Sequence, residues 1–439
     1  MAAAWLLASM LAQAAPADAP SLPHETWTLQ NGMRVILAED HSVPFVWVNI
    51  WYDVGSKDES PGRSGFAHLF EHLMFQGSEH SNVDYFAPLQ PIGAVVNGTT
   101  NLDRTNYFEG VPSAYLPLAL WLESDRMGYL LPALDQARLD NQKAVVRNER
   151  RQRYDNVPYG NAWPLLLENL WPEGHPYHIA TIGRHEEIEA ATLADVHAFF
   201  RTWYVPSNAS LVICGDVDPK TARTWVERYF APLPSPPKPA HAPAPAPVKL
   251  DAERVVTRTQ DVPFERVWLA WPSPAAYAPG DADLDVLSNA LAGGKDSRLY
   301  RALVKERQVA QDVGASQDSL DLQSIYTITA TVAQGRTGEE VIAAIDDVLA
   351  EVRRDGITAE EVAIAQTTYE VAFHGSLATL QGKADRMNAY ARAKGDADWV
   401  AEDLARYAAV TPASVASTLE TWLPARERLV LRIQPGGAK

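Results

Sequence analysis

The stretch HLFEHLMFQG, which begins at His68, places two histidines four residues apart with a glutamate directly before the second. On a helix, residues four apart share one face, so the imidazoles of His68 and His72 can reach one ion while Glu71 lies beside them. Two histidine nitrogens suit zinc, and a neighbouring carboxylate can act as the base for a water molecule. The same pattern also arises by chance among polar residues of an exposed helix, so the motif alone does not decide between the two interpretations.

A catalytic zinc site needs a third protein ligand and an open position. The segment DNQKAVVRNERRQRYDNVPYG, residues 140–160, predicts a helix that buries Val145 and Val146 and ends before Pro158. Glu149 is the only glutamate in this segment. A single glutamate among arginines is also typical of a surface ion pair, so spacing alone does not select Glu149 as a ligand.

The composition restricts the class of protein that must position these residues. The chain has 439 residues, of which 46% are hydrophobic and 21% charged, as in a globular protein with room for two or more domain cores. The formal net charge of -17 argues against nucleic acid and anionic lipid as partners, because no basic surplus is present to replace counterions on phosphates. Cys214 is the only cysteine, so no disulfide can form within the chain.

The first twenty residues, MAAAWLLASMLAQAAPADAP, have the layout of a secretory signal. An apolar stretch over residues 2–11 is followed by a small-x-small cleavage pattern at residues 12–14. No Lys or Arg precedes the apolar stretch, and the alternative is an apolar helix of the mature fold, which Pro16 and Pro20 would separate from the rest of the chain. We expect residues 1–20 to be a signal peptide and the protein to act in the periplasm. No other apolar run is long enough for a membrane span.

Proline and alanine alternate in the middle of the chain, which predicts an extended linker over residues 234–250. The linker separates two predicted domains of similar size, residues 21–233 and 251–439. The ends of these domains match, since TLADVHAFFRTW from Thr192 and TPASVASTLETW from Thr411 both predict a helix that leads into a closing strand. The two halves therefore indicate an internal duplication.

Each half combines alternating strand patterns with several helix patterns. We predict an α+β fold of two homologous sandwich domains, in which a mixed sheet with packed helices is duplicated. Aligning the glycines that end the first helix of each half places the polar triplet of the first half opposite Leu284, Leu287 and Ser288. The second copy thus performs the packing role without the polar triplet, which favours a chemical role for the triplet.

An inverted H-x-x-E-H motif with a glutamate far along the chain resembles the signature of the pitrilysin, insulysin and mitochondrial processing peptidase family, the inverzincins. Four stretches resemble that family in the same order: GRSGFAHLFEHLMFQGS, VVNGTTNLDRTNYFEGVP, VVRNERRQRYDNVPYG and YVPSNASLVICGDVDP. The resemblance covers most of residues 25–439. It implies a clam-like arrangement of the duplicated domains, with the linker as a hinge, that admits unfolded peptides.

The resemblance implies that His68, His72 and Glu149 bind one zinc ion. Glu71 would then be the general base of a zinc-dependent peptidase that hydrolyses peptide bonds with activated water. Gln142 precedes Glu149 by two helical turns, where relatives often have a second glutamate. An amide at this position can still form a hydrogen bond to a metal ligand.

The stretch VVNGTTNLDRTNY resembles the family's edge strand, which receives the substrate as an added β-strand. This resemblance places Asn97 and Asn101 near the substrate. Both asparagines also fit ordinary strand or turn positions, so their role in substrate binding stays open.

The second half departs from the family pattern. Members that act alone or as homodimers carry an Arg and a Tyr in a context like SRLFxxLRExxGLxY. This chain reads SRLYRALVKERQVAQDV, which puts Val304 and Gln311 at those positions. Arg298 and Tyr300 precede the expected positions, and we do not expect them to substitute. We therefore predict the zinc subunit of a heterodimer, whose paralogous partner carries the missing pair.

Three other interpretations stay open at this point. The chain can be a self-sufficient homodimeric peptidase, a non-catalytic structural subunit like the core proteins of respiratory complexes in this superfamily, or a zinc-independent peptide-binding module. Structural subunits of that kind usually lack the metal ligands, so the intact motif argues against the second interpretation.

Overall fold

The computed structural model describes residues 20–436. The signal peptide expected over residues 1–20 therefore lies outside the described residues, apart from Pro20. Within the described part of the chain, no helix is both long and apolar enough to cross a membrane. Helices and two separate sheets account for most of the fold.

The first half contains one sheet and seven helices within the described residues. Its strands are β1 (Glu25–Thr28), β2 (Arg34–Glu39), β3 (Phe45–Tyr52), β4 (Val95–Thr100), β5 (Thr105–Pro112) and β6 (Ala209–Gly215). Its helices are α1 (Phe66–Leu73), α2 (Leu116–Ala133), α3 (Gln136–Arg150), α4 (Ala162–Leu170), α5 (His185–Glu189), α6 (Leu193–Trp203) and α7 (Pro219–Phe230). The strands pair in the order β1-β2-β6-β3-β5-β4, which leaves β4 at one edge.

The second half repeats this plan with a smaller sheet. Its strands are β7 (Arg254–Gln260), β8 (Arg266–Ser273), β9 (Ala310–Asp318), β10 (Ser324–Val332) and β11 (Leu429–Pro435). Its helices are α8 (Asp281–Ala292), α9 (Gly338–Asp355), α10 (Ala359–Ser376), α11 (Leu380–Lys394), α12 (Val400–Ala408) and α13 (Pro412–Trp422). The strands pair in the order β7-β11-β8-β10-β9, which leaves β9 at the edge.

The two sheets confirm the predicted duplication and the α+β class. The order β2-β6-β3-β5-β4 of the first sheet recurs as β7-β11-β8-β10-β9 in the second. In both, the first pair is parallel and the others are antiparallel. The similarity between the ends of the two halves is also present in the structure. Helices α6 and α13 both begin at a threonine N-cap with a capping box, and both end at a tryptophan.

The halves exchange one helix each. Helix α4 of the first half packs on β8 and β11 of the second sheet, and α11 of the second half packs on β3 and β6 of the first. Both are the third helix after the long hairpin of their half, so the exchange is reciprocal. It buries the central strands on both faces, and it explains why β3 and β5 are buried along almost their whole length.

The linker is fixed to both halves. Lys238 Nζ lies 2.9 Å from Asp53, and the two ring nitrogens of His241 lie 2.7 Å from Asp58 and 3.2 Å from Asp53. Farther along, the backbone of Val248 exchanges two hydrogen bonds with the side chain of Gln323. These contacts and the exchanged helices are at odds with the expectation that the linker is a free hinge.

The ionic contacts of the linker predict that the stability of the folded protein depends on pH. Hydrogen bonds to Asp53 and Asp58 raise the pKa of His241 from 6.5 to about 9. Folding thus favours the protonated imidazole of His241. Its contribution to the free energy of unfolding is fully present below about pH 6.5 and is lost as the pH rises through 9. We expect His241→Gln to lower the melting temperature clearly at pH 6 and very little at pH 10. Thermal melts of both proteins across this range test it, and a difference that does not change with pH would contradict it.

Candidate metal centre and its cleft

Helix α1 is held in place at its N-terminus and along its apolar face. The carboxylate of Glu59 accepts hydrogen bonds from the backbone N–H groups of Gly65, at 2.9 Å, and Ala67, at 2.8 Å. These bonds satisfy donors that a helix start otherwise leaves unpaired. Leu69 and Leu73 are fully buried in the core. The opposite face of α1 is therefore left to the polar triplet.

Helix α3 packs beside α1 and brings in the third side chain. Glu149 Oε2 lies 3.1 Å from His72 Nε2 and 3.6 Å from His68 Nε2. The predicted helix is present, but only one of its two valines is in the core: Val146 is buried, whereas Val145 is 38% exposed because it lies on the outer face.

One potential ligand atom from each of His68, His72 and Glu149 lies within 4.8 Å of the others. Ligands of one tetrahedral zinc ion lie about 3.3 Å apart, given bonds of roughly 2.0 Å to nitrogen and oxygen. The spacing and the donor types therefore fit a zinc ion. The second ring nitrogen of His68, Nδ1, is buried and has no hydrogen-bond partner among the described residues.

The surroundings of His68 and Glu149 lower the pKa of each side chain, for different reasons. Burial, followed by the neighbouring His72, lowers the pKa of His68 to about 4, which keeps its imidazole neutral as metal binding requires. Burial acts to raise the pKa of Glu149, but the hydrogen bond with His72 and nearby positive charges lower it overall. Arg153 contributes to this, since its guanidinium lies 2.8 Å from Glu149 Oε1. The site thus offers the ring nitrogens of two histidines and one carboxylate.

Glu71 lies in the same cavity but not in the ligand cluster. Burial raises the pKa of its carboxyl above the usual value. A carboxylate with a raised pKa is a stronger base near neutral pH, which is the property that proton transfer from water requires.

The cavity holding these side chains has a volume of about 500 Å³. Helices α1 and α3 form one side, and the edge strand β4 contributes residues 97–100 to the other. Phe75 and Phe86, stacked with ring centroids 5.0 Å apart, also line it. All residues that line it belong to the first half of the chain.

The free edge of β4 faces outward beside Glu71. Asn101 N–H donates to Arg104 O across the hairpin, and the register pairs Thr100 with Thr105. The antiparallel pattern then turns the backbone groups of Asn97 and Thr99 toward β5, and those of Gly98 and Thr100 away from the sheet. Strand groups that have no partner within the sheet can accept an added strand, although Gly98 N–H donates to the Asn97 side chain in this structure.

Gly98 allows the strand to approach Glu71. A Cβ atom at this position would lie 3.2 Å from Glu71 Cγ, 3.2 Å from Phe75 Cζ and 3.0 Å from Tyr107 Cδ1. Sequence reasoning missed Gly98, although a glycine within a strand is a signal of close approach.

The two predicted substrate residues lie in different places. Asn97 lines the cavity, and its Oδ1 accepts a hydrogen bond of 2.9 Å from Gly98 N–H. Asn101 lies in the turn after β4, where its Oδ1 accepts hydrogen bonds of 2.8 Å from the N–H groups of Asp103 and Arg104. Asn101 lines a separate cavity where the two halves meet. Gln142 is buried and lines the metal-site cavity beside Glu149.

A buried ionic cluster supports the wall behind the site, and sequence analysis did not find it. Arg126 pairs with Glu109 at 3.0 Å and also with Glu123, and all three are essentially inaccessible. The Arg126 guanidinium lies 4.4 Å from the ring centroid of Tyr107 and 5.5 Å from that of Phe75. The cluster thus positions two rings that pack against Gly98 and Glu71.

Residues 251–436 of the second half contain no matching site. Helix α8 occupies the place of α1, but Leu284 and Leu287 are fully buried there and the Ser288 hydroxyl donates to the backbone oxygen of Leu284. Val304 packs against the second core, and Gln311 donates through Nε2 to Val332 O at 2.9 Å. Neither position supplies a cation or a phenol.

The duplicated fold with one H-x-x-E-H helix defines a two-domain protein of the inverzincin class. Two family descriptions match it: "Insulinase (Peptidase family M16)" over residues 34–171 and "Peptidase M16 inactive domain" over residues 190–369. The chain is a two-domain member of peptidase family M16. The word inactive in the second description agrees with a second half that lacks the polar triplet.

Named relatives and solved structures extend the similarity over most of the chain. The zinc protease PqqE of Helicobacter pylori is 29% identical over 343 residues, 77% of each chain. The crystal structure of a protease from Helicobacter pylori has a TM-score of 0.85 and 26% identity, covering 94% of this chain and 100% of that one. The periplasmic protease PqqL of Escherichia coli shares the fold, with a TM-score of 0.77 and 17% identity, but this chain covers only 48% of it.

Gly98 supplies a direct test of this geometry. In Gly98→Val the side chain would meet Glu71 and Phe75, so the base is displaced while His68, His72 and Glu149 keep their positions. We expect the metal content to be retained and peptide hydrolysis to fall on the order of 100-fold, as misplacing a catalytic group by about 1 Å can do. Metal analysis and a peptidase assay of the purified variant measure both.

The matched control is Gly314→Val. Gly314 lies in β9, the equivalent edge strand of the second half, and a Cβ there would have no heavy atom within 4 Å. Equal activity of the two variants would show that the approach of β4 to Glu71 is unimportant.

Proposed function

We propose that this protein is a zinc-dependent endopeptidase in which His68, His72 and Glu149 hold one zinc ion and Glu71 is the general base. The observation that carries the proposal is that the three potential ligand atoms lie within 4.8 Å of one another, beside the half-buried Glu71, whose pKa is raised. The zinc protease PqqE, which is similar over most of its length, agrees with this choice of metal.

When bound, zinc would supply Lewis acidity to water and to the scissile carbonyl. The chain's own residues would perform the other tasks. The outward backbone groups of Gly98 and Thr100 pair with an extended peptide and bring one of its bonds next to Glu71. Glu71 takes a proton from the attacking water and passes it to the leaving nitrogen.

This arrangement favours unfolded peptides as substrates. A segment must be extended to add to the edge of β4, and a folded protein rarely offers such a segment. We also propose that the protein acts in the periplasm. The support is the signal-like pattern of residues 1–20, since the fold shared with PqqL carries no information on location.

We further propose that the chain is the zinc subunit of a heterodimer. The support is twofold: Val304 and Gln311 replace the Arg and Tyr of the family pattern, and the cavity is lined by residues of the first half alone. In PqqL the same fold makes up about half of a longer chain. A self-sufficient homodimer is the second candidate, and a non-catalytic subunit the third.

Metal analysis of the native protein and of Glu71→Gln tests the catalytic assignment. We expect about one zinc per chain in both proteins, because Glu71 is not a ligand. Hydrolysis should fall roughly 100-fold to 10,000-fold in the variant, the usual effect of removing a general base. Glu79→Gln is the control, since Glu79 is an exposed glutamate outside the cavity and its loss should change neither quantity. Native protein that binds no zinc would end the zinc-peptidase proposal.

The partner is tested by assaying the purified chain alone and together with a paralogue that carries the Arg and Tyr. We expect low hydrolysis from the lone chain and a large increase with the paralogue at an equal molar ratio. Because Glu71→Gln removes the base, the mixture made with that variant should stay inactive. Full activity from the lone chain would show a self-sufficient enzyme instead.

A further inference from the structure

A second cavity of about 330 Å³ lies where the two halves meet. The turn between β4 and β5 forms one side, and helices α8, α11 and α12 of the second half contribute to the other. Four arginines reach into it, together with Trp51 and Tyr277: Arg104, Arg386, Arg392 and Arg406. None of the roles proposed above uses this cavity.

The four aspartates of the cavity already have partners. Asp103 pairs with Lys57 and Tyr177, Asp281 and Asp403 pair with Arg406, and Asp321 pairs with Lys57 and Arg392. Two of the four arginines, Arg392 and Arg406, are thereby neutralised. Arg386 has only a longer contact of 3.7 Å with Asp403, and Arg104 forms no ion pair among the described residues.

Arg104 and Arg386 form no hydrogen bond to a carboxylate within residues 20–436. Arg104 donates to Thr99 O and to Asn106 Oδ1, both at 3.0 Å, and its guanidinium lies 4.9 Å from the ring centroid of Trp51. Arg386 has no hydrogen bond in the described structure, and Asp403 Oδ2 is 3.7 Å from its Nη1.

One further carboxyl group lies near this pair. Asp385 accepts a hydrogen bond of 2.6 Å from Asn49, and burial raises the pKa of its carboxyl. It forms no ion pair with Arg104 or Arg386 among the described residues. Half-buried guanidinium groups without a hydrogen-bonded carboxylate favour an anionic ligand, and they bind carboxylates through two parallel hydrogen bonds.

The second cavity lies in line with a peptide that would pair with the free edge of β4. Gly98 and Thr100 present the free edge beside Glu71, and Asn101 and Arg104 line the second cavity directly after them. A strand advances about 3.3 Å per residue, so Asn101 lies about 10 Å beyond Gly98. A peptide paired with β4 therefore reaches the second cavity roughly three to five residues from the bond beside Glu71.

We propose that this cavity is a substrate subsite in which Arg104 and Arg386 bind a carboxylate of the extended peptide. The carboxylate is either an acidic side chain or the C-terminal group, about three to five residues from the cleaved bond. The proposal rests on the peptidase function proposed above and adds a preference for acidic peptides. It is unexpected for a chain of net charge -17, which repels such peptides at long range.

The test uses an equimolar library of unstructured 16-residue peptides and the active zinc protein, with its partner where one is needed. Mass spectrometry locates the cleaved bonds. We expect Asp and Glu to be enriched about tenfold in kcat/KM at three to five residues from the cleaved bond on one side, the size expected for a charge-assisted hydrogen bond. Free and amidated C-termini distinguish a terminal carboxylate from an acidic side chain.

Two variants and a control complete the experiment. Arg386→Gln should abolish the enrichment. The readout is the ratio of acidic to neutral peptide cleavage, because Arg386 also lies 3.7 Å from Asp403 and over the rings of Phe373 and Tyr390. Arg104→Gln should do the same, although it also loses bonds to the hairpin. Arg301→Gln, an exposed arginine outside the cavity, should keep the enrichment.

The failures of the two proposals are distinguishable. Hydrolysis without acidic enrichment, or enrichment that survives in both arginine variants, would overturn the subsite and leave the peptidase function intact. If no peptide is hydrolysed, binding of an acidic library peptide and its Gln-substituted counterpart to the Glu71→Gln protein, measured by calorimetry, still tests the subsite. Equal affinities would overturn it.

Discussion

The site depends on the contact between the Glu149 carboxylate and the imidazoles of α1. Helix geometry alone brings His68 and His72 together, with ring centroids 4.9 Å apart. No local rule brings in a third side chain from another helix, so the packing of α3 against α1 must place Glu149 beside the two histidines. That packing in turn requires α1 to be fixed, which the Glu59 cap and the buried leucines achieve.

The ionic cluster around Arg126 fixes the wall of the cavity, as the packing of α3 against α1 fixes His68, His72 and Glu149. A buried arginine with two glutamates is a weak source of stability, because desolvation offsets most of the attraction. Loss of one partner still costs about 3–5 kcal/mol, since an unpaired charge then stays buried. The cluster therefore restricts the arrangement of Tyr107 and Phe75 more than it stabilises the fold. Rings held this tightly keep Gly98, and with it the edge of β4, at a fixed distance from Glu71.

The parts of the fold that were predictable are those that local patterns determine. The H-x-x-E-H helix, the duplication and the paired ends at Trp203 and Trp422 can be read from spacing and periodicity, which a sequence displays directly. The selection of Glu149 needed the family resemblance, because an isolated glutamate among arginines has several explanations. The exchange of α4 and α11, the Arg126 cluster and the cavity beside Arg386 join residues far apart in the chain. No periodic pattern encodes such contacts, and the prediction that Val145 is buried failed for the related reason that helix orientation is set by packing.

The reciprocal exchange also bears on how a substrate enters. Each half covers the sheet of the other, and the linker is bound through Asp53, Asp58 and Gln323, so opening the two halves would expose both sheets and break these contacts. Hinge motions usually occur where few contacts must break. Separating the halves of this chain would therefore break many contacts, and no residue of the second half lines the cavity beside Glu71. If the chain is one subunit of the proposed heterodimer, the surface that encloses the cavity belongs to the partner subunit. Access of the peptide to Glu71 then depends on association of the two chains and not on movement of the linker.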